Sequence, residues 1–182
     1  MPLDASRNSL VLPILGFLGE RPAHAYDLAT RLRGRYAQLS ATRSTVTTLL
    51  KSLHRAGLVV AREPGQVGNR PPRTVFELTE AGVAGFREKV ESGLRDTPVA
   101  SVDFALAVAY LGSLPADRAV ALLSERAERL AREQAARPAG AAAMTELRTL
   151  EHDYWHGLVA AESAWIAALL SRIRSADLAW AA

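Results

Sequence analysis

The 182-residue chain contains no cysteine. Thiol nucleophiles, thiolate metal sites, disulfide staples and redox switches are thereby excluded, and a reducing compartment, the cytoplasm by default, is expected. Aromatic residues make up only 6% of the chain, but 49% of residues are apolar, enough at this length to bury a core in one domain or two small ones. Long hydrophobic runs are missing. The longest strongly apolar stretch, Leu10 to Gly19, is ten residues broken by Pro13, about half of what a bilayer-spanning helix requires. No transmembrane helix and no membrane partner are expected. Arg7, this stretch and Ala23-His24-Ala25 loosely imitate a secretory signal, but Asp4 offsets Arg7 and the triplet falls inside a helical pattern.

Catalytic motifs are scarce too. Gly65-Gln66-Val67-Gly68-Asn69-Arg70 lacks the Gly-Lys-Ser/Thr ending of a P-loop, and no G-x-S-x-G nucleophile turn occurs. Carboxylates are scattered over helix faces within ion-pairing reach of arginines, as with Glu125 and Arg129 at i and i+4. His152 and His156, also at i and i+4, could begin a zinc pair, with Asp153 where a metalloprotease has its glutamate, but no third ligand is evident. Neither an enzyme nor a cofactor or metal site is expected. A metal-responsive regulator using His152 and His156 stands as an alternative reading.

Acidic residues are nearly absent from one window: residues 21–73 hold 2 acidic against 10 basic side chains, although the whole chain is only +3. Residues 1–96 carry 14 basic against 9 acidic groups, and residues 97–182 carry 8 against 10. The basic window calls for a polyanion.

Its periodicity indicates the fold. Leu10, Ile14, Leu15 and Leu18 predict a helix over residues 9–19. A second, over residues 24–36, places Tyr26, Leu28, Ala29 and Leu32 inward and Arg31, Arg33 and Arg35 outward. A third starts at Ser40 or Thr42, which are N-cap residues, buries Val46, Leu49, Leu50 and Leu53, and stops at Gly57. Residues 58–62 and 73–78 then alternate as strands around a Gly/Pro-rich tip that carries Arg70 and Arg73. Thr79 caps a following helix to about Leu94. Asp96-Thr97-Pro98 marks a boundary between domains at residues 1–96 and 97–182. Beyond it lie only helices: Val102 to Leu111, Pro115 to about Arg137, and Ala142 to about Ser175.

The order helix, helix, helix, strand, tip, strand, helix is that of a winged helix-turn-helix, whose third helix enters a major groove while the wing reaches the adjacent backbone or minor groove. The expected DNA-binding residues are Arg43, Ser44, Thr45, Thr47, Thr48 and Lys51 on that helix, with Arg70 and Arg73 from the wing. Hydroxyls read bases less decisively than bidentate Arg or Asn, so affinity should come mostly from phosphates and weaken with salt. A solvated helix face, or a surface docking another protein in an adaptor, is the competing explanation.

Particular motifs point to a family. Leu12–Leu18 followed by Pro22-Ala23-His24-Ala25-Tyr26-Asp27-Leu28, the run Thr45 to Val59 ending Gly57-Leu58-Val59, and Arg73 to Gly82 with Leu78-Thr79-Glu80-Ala81-Gly82 resemble the "P-x-HGYEL", "L-x-x-x-GLV" and "Y-x-LTE-x-G" segments of the PadR family of bacterial transcriptional regulators. The resemblance covers nearly the whole chain. Ala25 stands where the family usually has Gly, and Thr47 where its recognition helix commonly has Tyr.

Asp153 to Leu170 resembles the helical dimerisation region of the longer PadR subgroup, which implies a homodimer over a palindromic double-stranded DNA operator, most simply a repressor. The last helix supports a partner on its own evidence. Leu147, Leu150, Tyr154, Leu158, Ala161, Trp165 and Leu169 form one stripe, and Trp155, Val159, Ile166, Leu170 and Ile173 an adjoining one, too broad for a lone surface helix. Trp155 and Trp165 are candidates to line a pocket for a small planar apolar effector that releases the repressor, as aromatics do in some relatives; plain helix packing would also explain them.

Overall fold

A computed structural model describes residues 8–62, 74–135, 147 and 150–180. The chain divides into two compact units, Met1–Lys89 and Val90–Ala182.

In the first unit, α1 (Val11–Glu20) has every residue from Val11 to Leu18 buried, so it is the central helix, apolar all round. Pro13 is accommodated in its first turn, where backbone N–H groups have no intrahelical acceptor anyway. Strand β1 (Ala23–His24) leads directly into α2 (Ala25–Arg35), and α3 (Arg43–Arg55) follows. Strands β2 (Val59–Arg62) and β3 (Val75–Leu78) and helix α4 (Glu80–Asp96) complete the order, with residues up to Lys89 in this unit. The antiparallel sheet runs β1-β3-β2, with Ala23 opposite Phe76 and Val59 opposite Leu78. This is a winged helix-turn-helix, within a mainly helical chain whose sheet is small and three-stranded.

Strand β1 is absent from the sequence reading, which placed His24 in a helix. Two residues carry no detectable period, and their partner lies some fifty positions downstream on β3. Tyr26 also departs from expectation: it is 54% exposed, not inward. The buried ridge of α2 is Leu28, Ala29 and Leu32, and a residue two positions before Leu28 lies about 200° round the helix, on the opposite side. Arg31 deviates the other way, being half-buried with its guanidinium 4.1 Å from the Phe17 ring centroid and an ion pair to Glu20.

The end of α3 is held by a left-handed Gly57 at φ +74°. The Leu58 N–H donates to the Leu53 carbonyl and the Gly57 N–H to that of His54, both at 3.0 Å, the paired bonds of a Schellman termination. Thr79 caps α4 through a 3.0 Å bond from the Gly82 N–H, and its hydroxyl donates to the Gly57 carbonyl at 2.7 Å. A Cβ at Gly82 would stand 2.0 Å from the Leu58 carbonyl oxygen, so only glycine fits where α4 crosses this turn.

The second unit holds the end of α4, α5 (Val102–Ala109), a 3₁₀ turn at Leu111–Ser113, α6 (Ala116–Ala135) and α7 (Leu150–Arg174). Helix α6 buries Ala119, Leu122, Leu123, Arg126 and Leu130. Arg126 is wholly buried among the leucines and saturated with acceptors. Its Nε donates to Glu162 on α7 at 2.7 Å, and its terminal nitrogens reach the carbonyls of Leu94, Thr97 and Pro98 at 3.3, 2.9 and 3.1 Å. Its guanidinium lies 4.0 Å from the Phe104 ring centroid. Burial pushes its pKa down from the ordinary guanidinium value, against the upward pull of Glu162. Arg129 forms its ion pair with Glu133 rather than the anticipated Glu125, while its Nη2 donates to the Arg95 carbonyl at 3.0 Å.

Among the described residues no helix is long and apolar enough to cross a membrane.

Candidate nucleic-acid interface

Helix α3 carries the candidate surface. Thr42 is its N-cap: the Thr42 Oγ1 accepts from the Thr45 N–H at 3.1 Å and also bonds the Ser44 and Thr45 hydroxyls at 2.9 and 2.8 Å. Val46, Leu49, Leu50 and Leu53 are buried, which fixes the rotation of the helix and leaves Arg43, Ser44, Thr48 and Lys51 exposed, with Thr45 and Thr47 half-buried. Five of the six predicted helix residues therefore share one accessible side, in two rows one residue apart, while Thr45 lies off both rows at the cap. Arg43, Thr47 and Lys51 follow one another at i, i+4 and i+8; Ser44 and Thr48 form the neighbouring row. Arg70 and Arg73 lie outside the described residues.

The hydroxyls are not equally available. Thr47 donates to the Arg43 carbonyl at 2.8 Å, and Ser44 and Thr45 share their bonds with Thr42. Thr48 makes no intrachain hydrogen bond among the described residues. A Ser or Thr hydroxyl has one donor and two lone pairs, so Thr47 is left to accept, while Thr48 is open both ways.

Charge sorts the basic residues of this unit just as sharply. Arg21 pairs with Asp27, Arg31 and Arg35 with Glu20, and Arg62 with Glu77. Arg43 and Lys51 have no carboxylate partner among the described residues. Arg33 and Arg55 make only hydrogen bonds, to Thr30 and to the Lys51 carbonyl. Arg43, Lys51 and Arg55 thus leave three cations along α3 without a carboxylate partner among the described residues, against Arg33 on α2 and Arg87 on α4.

Beside the Arg43 row opens a concavity of about 540 Å³, lined by Arg43, Thr47 and Lys51 on one wall and by His24, Tyr26 and Thr74 on the others. Sequence reasoning missed Tyr26, His24 and Thr74 as neighbours of the α3 face. The signal for Tyr26 was its phase on α2, as given above; that for the other two is the β1–β3 pairing, which no local pattern encodes.

Residues 14–88 match the model of the transcriptional regulator PadR-like family. The span runs from α1 into α4 and includes the whole candidate surface, so this PadR-like region is the winged-helix unit. No curated protein sequence matches the chain. Among solved structures, Bacillus subtilis PadR in complex with operator DNA is similar at 19% identity, covering 91% of this chain and 99% of that one, with a TM-score of 0.46. A PadR family transcription regulator from Clostridium difficile aligns at 20% identity over 45% of this chain and 83% of its own, TM-score 0.41. One from Eggerthella lenta aligns at 28% identity over 47% of this chain and 72% of its own, TM-score 0.39.

In the second unit, Trp155 and Trp165 are 47% and 45% exposed. Trp165 packs edge-on against Phe104 at 6.1 Å and 85°. Ten residues apart on one helix, the two indoles are separated by about 15 Å along its axis, so a single chain does not bring them to one small ligand. The second stripe of α7 is the packed one, with Val159, Ile166 and Leu170 buried. The first is largely open: Leu147, Leu150, Tyr154 and Trp165 are among the most exposed large apolar side chains described. His152 and His156 are half-buried, and no group of three His, Asp or Glu among the described residues is disposed to hold a metal.

Proposed function

We propose that the chain is a sequence-specific DNA-binding transcriptional regulator of the cytoplasm, a homodimeric repressor released by a small apolar effector. The observation that carries the DNA reading is the accessible face of α3: two cations without carboxylate partners, flanked by hydroxyls, in the third helix of a winged helix that matches a family of transcriptional regulators. A helix of this kind fits a major groove, its cations meeting phosphates and its short hydroxyls meeting base edges. Arg43, Ser44, Thr45, Thr47, Thr48 and Lys51, with Arg70 and Arg73 of the wing, are the proposed contacts, within a DNA-binding domain over residues 1–96.

Residues 97–182 supply the dimer. The exposed stripe of α7, with Tyr154 69% exposed, is apolar surface that a second copy would cover, and two-fold pairing matches a palindromic operator. Trp155 and Trp165 are the proposed effector contacts, drawn from opposite protomers if they act together, because one protomer holds them apart.

A binding titration tests this reading. Purified protein is titrated against the DNA upstream of its own gene and a scrambled duplex, at two salt concentrations. Preferential binding at one dimer per palindrome, falling steeply with salt, is expected. Equal weak binding to both duplexes at both salts would instead favour a winged helix that docks a protein partner.

A further inference from the structure

We propose that the concavity beside α3 is the seat of one backbone phosphate of the bound duplex, with Tyr26 as a donor on the wall opposite Arg43 and Lys51; this rests on the DNA-binding function proposed above and identifies a contact outside the third helix. Tyr26 is 54% exposed, and its hydroxyl makes no intrachain hydrogen bond among the described residues. Arg43 and Lys51 have no carboxylate partner there either. No acidic residue lines the concavity among the described residues. The one carboxylate in the first turn of α2, Asp27, is held by Arg21 at 3.3 Å.

The other lining groups narrow the choice of ligand. His24 Nδ1 lies 3.2 Å from the Thr74 carbonyl. A carbonyl only accepts, so His24 Nδ1 is the donor in that bond and its proton is already spent there. Thr47 has already spent its proton on the Arg43 carbonyl. Among the described lining residues, the side-chain donors left for a guest are therefore Tyr26, Arg43 and Lys51, two of them charged, which suits a monoanion with two free oxygens. A phosphodiester is that group, and at about 540 Å³ the open concavity has room for it together with its flanking sugars. Position agrees with chemistry: the Arg43–Thr47–Lys51 row lies about 100° round the helix from the Ser44–Thr48 row. A helix in a groove has bases along one row and the phosphate wall beside it. Ser44 and Thr48 are then the residues left to read bases.

The seat is tested with the full chain and two labelled duplexes, one selected from random sequence and one scrambled, each titrated across a salt series. Tyr26→Phe is expected to weaken both duplexes by the same factor, about 5- to 20-fold, with the salt slope unchanged because no charge is removed. Lys51→Gln should weaken both and flatten the slope by about one unit per protomer. Ser44→Ala should change the ratio between duplexes and leave the slope alone. Equal unfolding midpoints for Tyr26→Phe and the native protein are expected, since the side chain is half outside. Native-like affinity of a folded Tyr26→Phe protein, or a changed duplex ratio, would overturn the seat while leaving the DNA reading intact. A native protein that binds neither duplex overturns both.

Discussion

Each unit of the chain holds one helix whose arginine side chains govern its chemistry, and the two helices treat them in opposite ways. On α6, Arg126 is wholly buried and reaches Glu162 together with the carbonyls of Leu94, Thr97 and Pro98. On α3, Arg43 stands exposed with no acid near it among the described residues. A guanidinium in a core must find its acceptors inside the protein, because a buried charge without partners costs several kcal/mol. One left uncompensated on a surface is held by water and mobile counter-ions, and stays available to an anion on another molecule. The difference is one of location along the apolar ridge: position 126 falls within the ridge formed by Ala119, Leu122, Leu123 and Leu130, whereas position 43 is the first residue of α3, ahead of the ridge formed by Val46, Leu49, Leu50 and Leu53.

Removing each arginine in turn is the strongest way to break this contrast. Arg126→Ala leaves Glu162 without its cation and the Leu94 and Pro98 carbonyls without their side-chain donor, the Thr97 carbonyl keeping Arg129 at 3.3 Å, and is expected to lower stability by about 3–5 kcal/mol, read by denaturant unfolding. Arg126→Met keeps much of the volume but none of the donors, so it should recover only the cavity part of that loss. A full recovery with Met would mean that packing, not the hydrogen-bonded charge, is what Arg126 contributes. Arg43→Gln should do the reverse. Its stability change is expected within about 0.5 kcal/mol, while duplex affinity falls about tenfold at low salt with a flatter slope. A destabilised Arg43→Gln protein would show that the residue has an internal partner after all.

A milder contrast lies within the second unit, between Arg126 and the more exposed Arg118, which pairs with Glu91. The Arg118 hydrogen bond holds the Glu91 carboxyl below the usual carboxylate range, against the upward push of its partial burial. Because the folded pKa lies below the unfolded one, the pair's stabilisation is complete above the unfolded value and is lost as pH falls through the depressed folded value. Glu91→Gln should therefore lie below the native protein in stability at neutral pH, with the gap closing in acid. Solvent screening of the half-exposed pair makes the gap much smaller than that for Arg126. A gap that persists at low pH would assign the effect to packing of the side chain.

The same contrast explains what could be read in advance. The α3 face was legible because cap, ridge and stop are all local: Thr42 caps, Val46 to Leu53 keep the helical period, and Gly57 takes the left-handed turn. Thr79 capping α4 was legible for the same reason. Non-local features were not. Strand β1 exists only because β3 lies beside it, and the second wall of the concavity follows from that pairing. Tyr26 faces outward because Leu28 and Leu32 set the phase of α2, and apolar character alone does not give direction in a first helical turn. Arg126 passed unnoticed because a charged residue on an apolar ridge looks like a break in the pattern, although here it is the pattern's most connected member.

The smallest expected effect probes how far the Arg126 network reaches. Glu162 spends one carboxylate oxygen on Arg126 and the other on the Ala100 N–H, at 2.9 Å. Ala100 has φ +55°, a left-handed conformation that costs a residue with a Cβ about 1–2 kcal/mol. Glycine removes that cost, keeps the N–H, and adds unfolded-state freedom worth about 0.5–1 kcal/mol. Ala100→Gly should therefore raise stability slightly, by about 0.5 kcal/mol. If Glu162 is what imposes the conformation, the gain should shrink when Glu162 is released by Arg126→Met, giving a non-additive double-mutant cycle. Strict additivity would mean that the chain turns at Ala100 by itself, and that the buried arginine's influence stops at the carboxylate it holds.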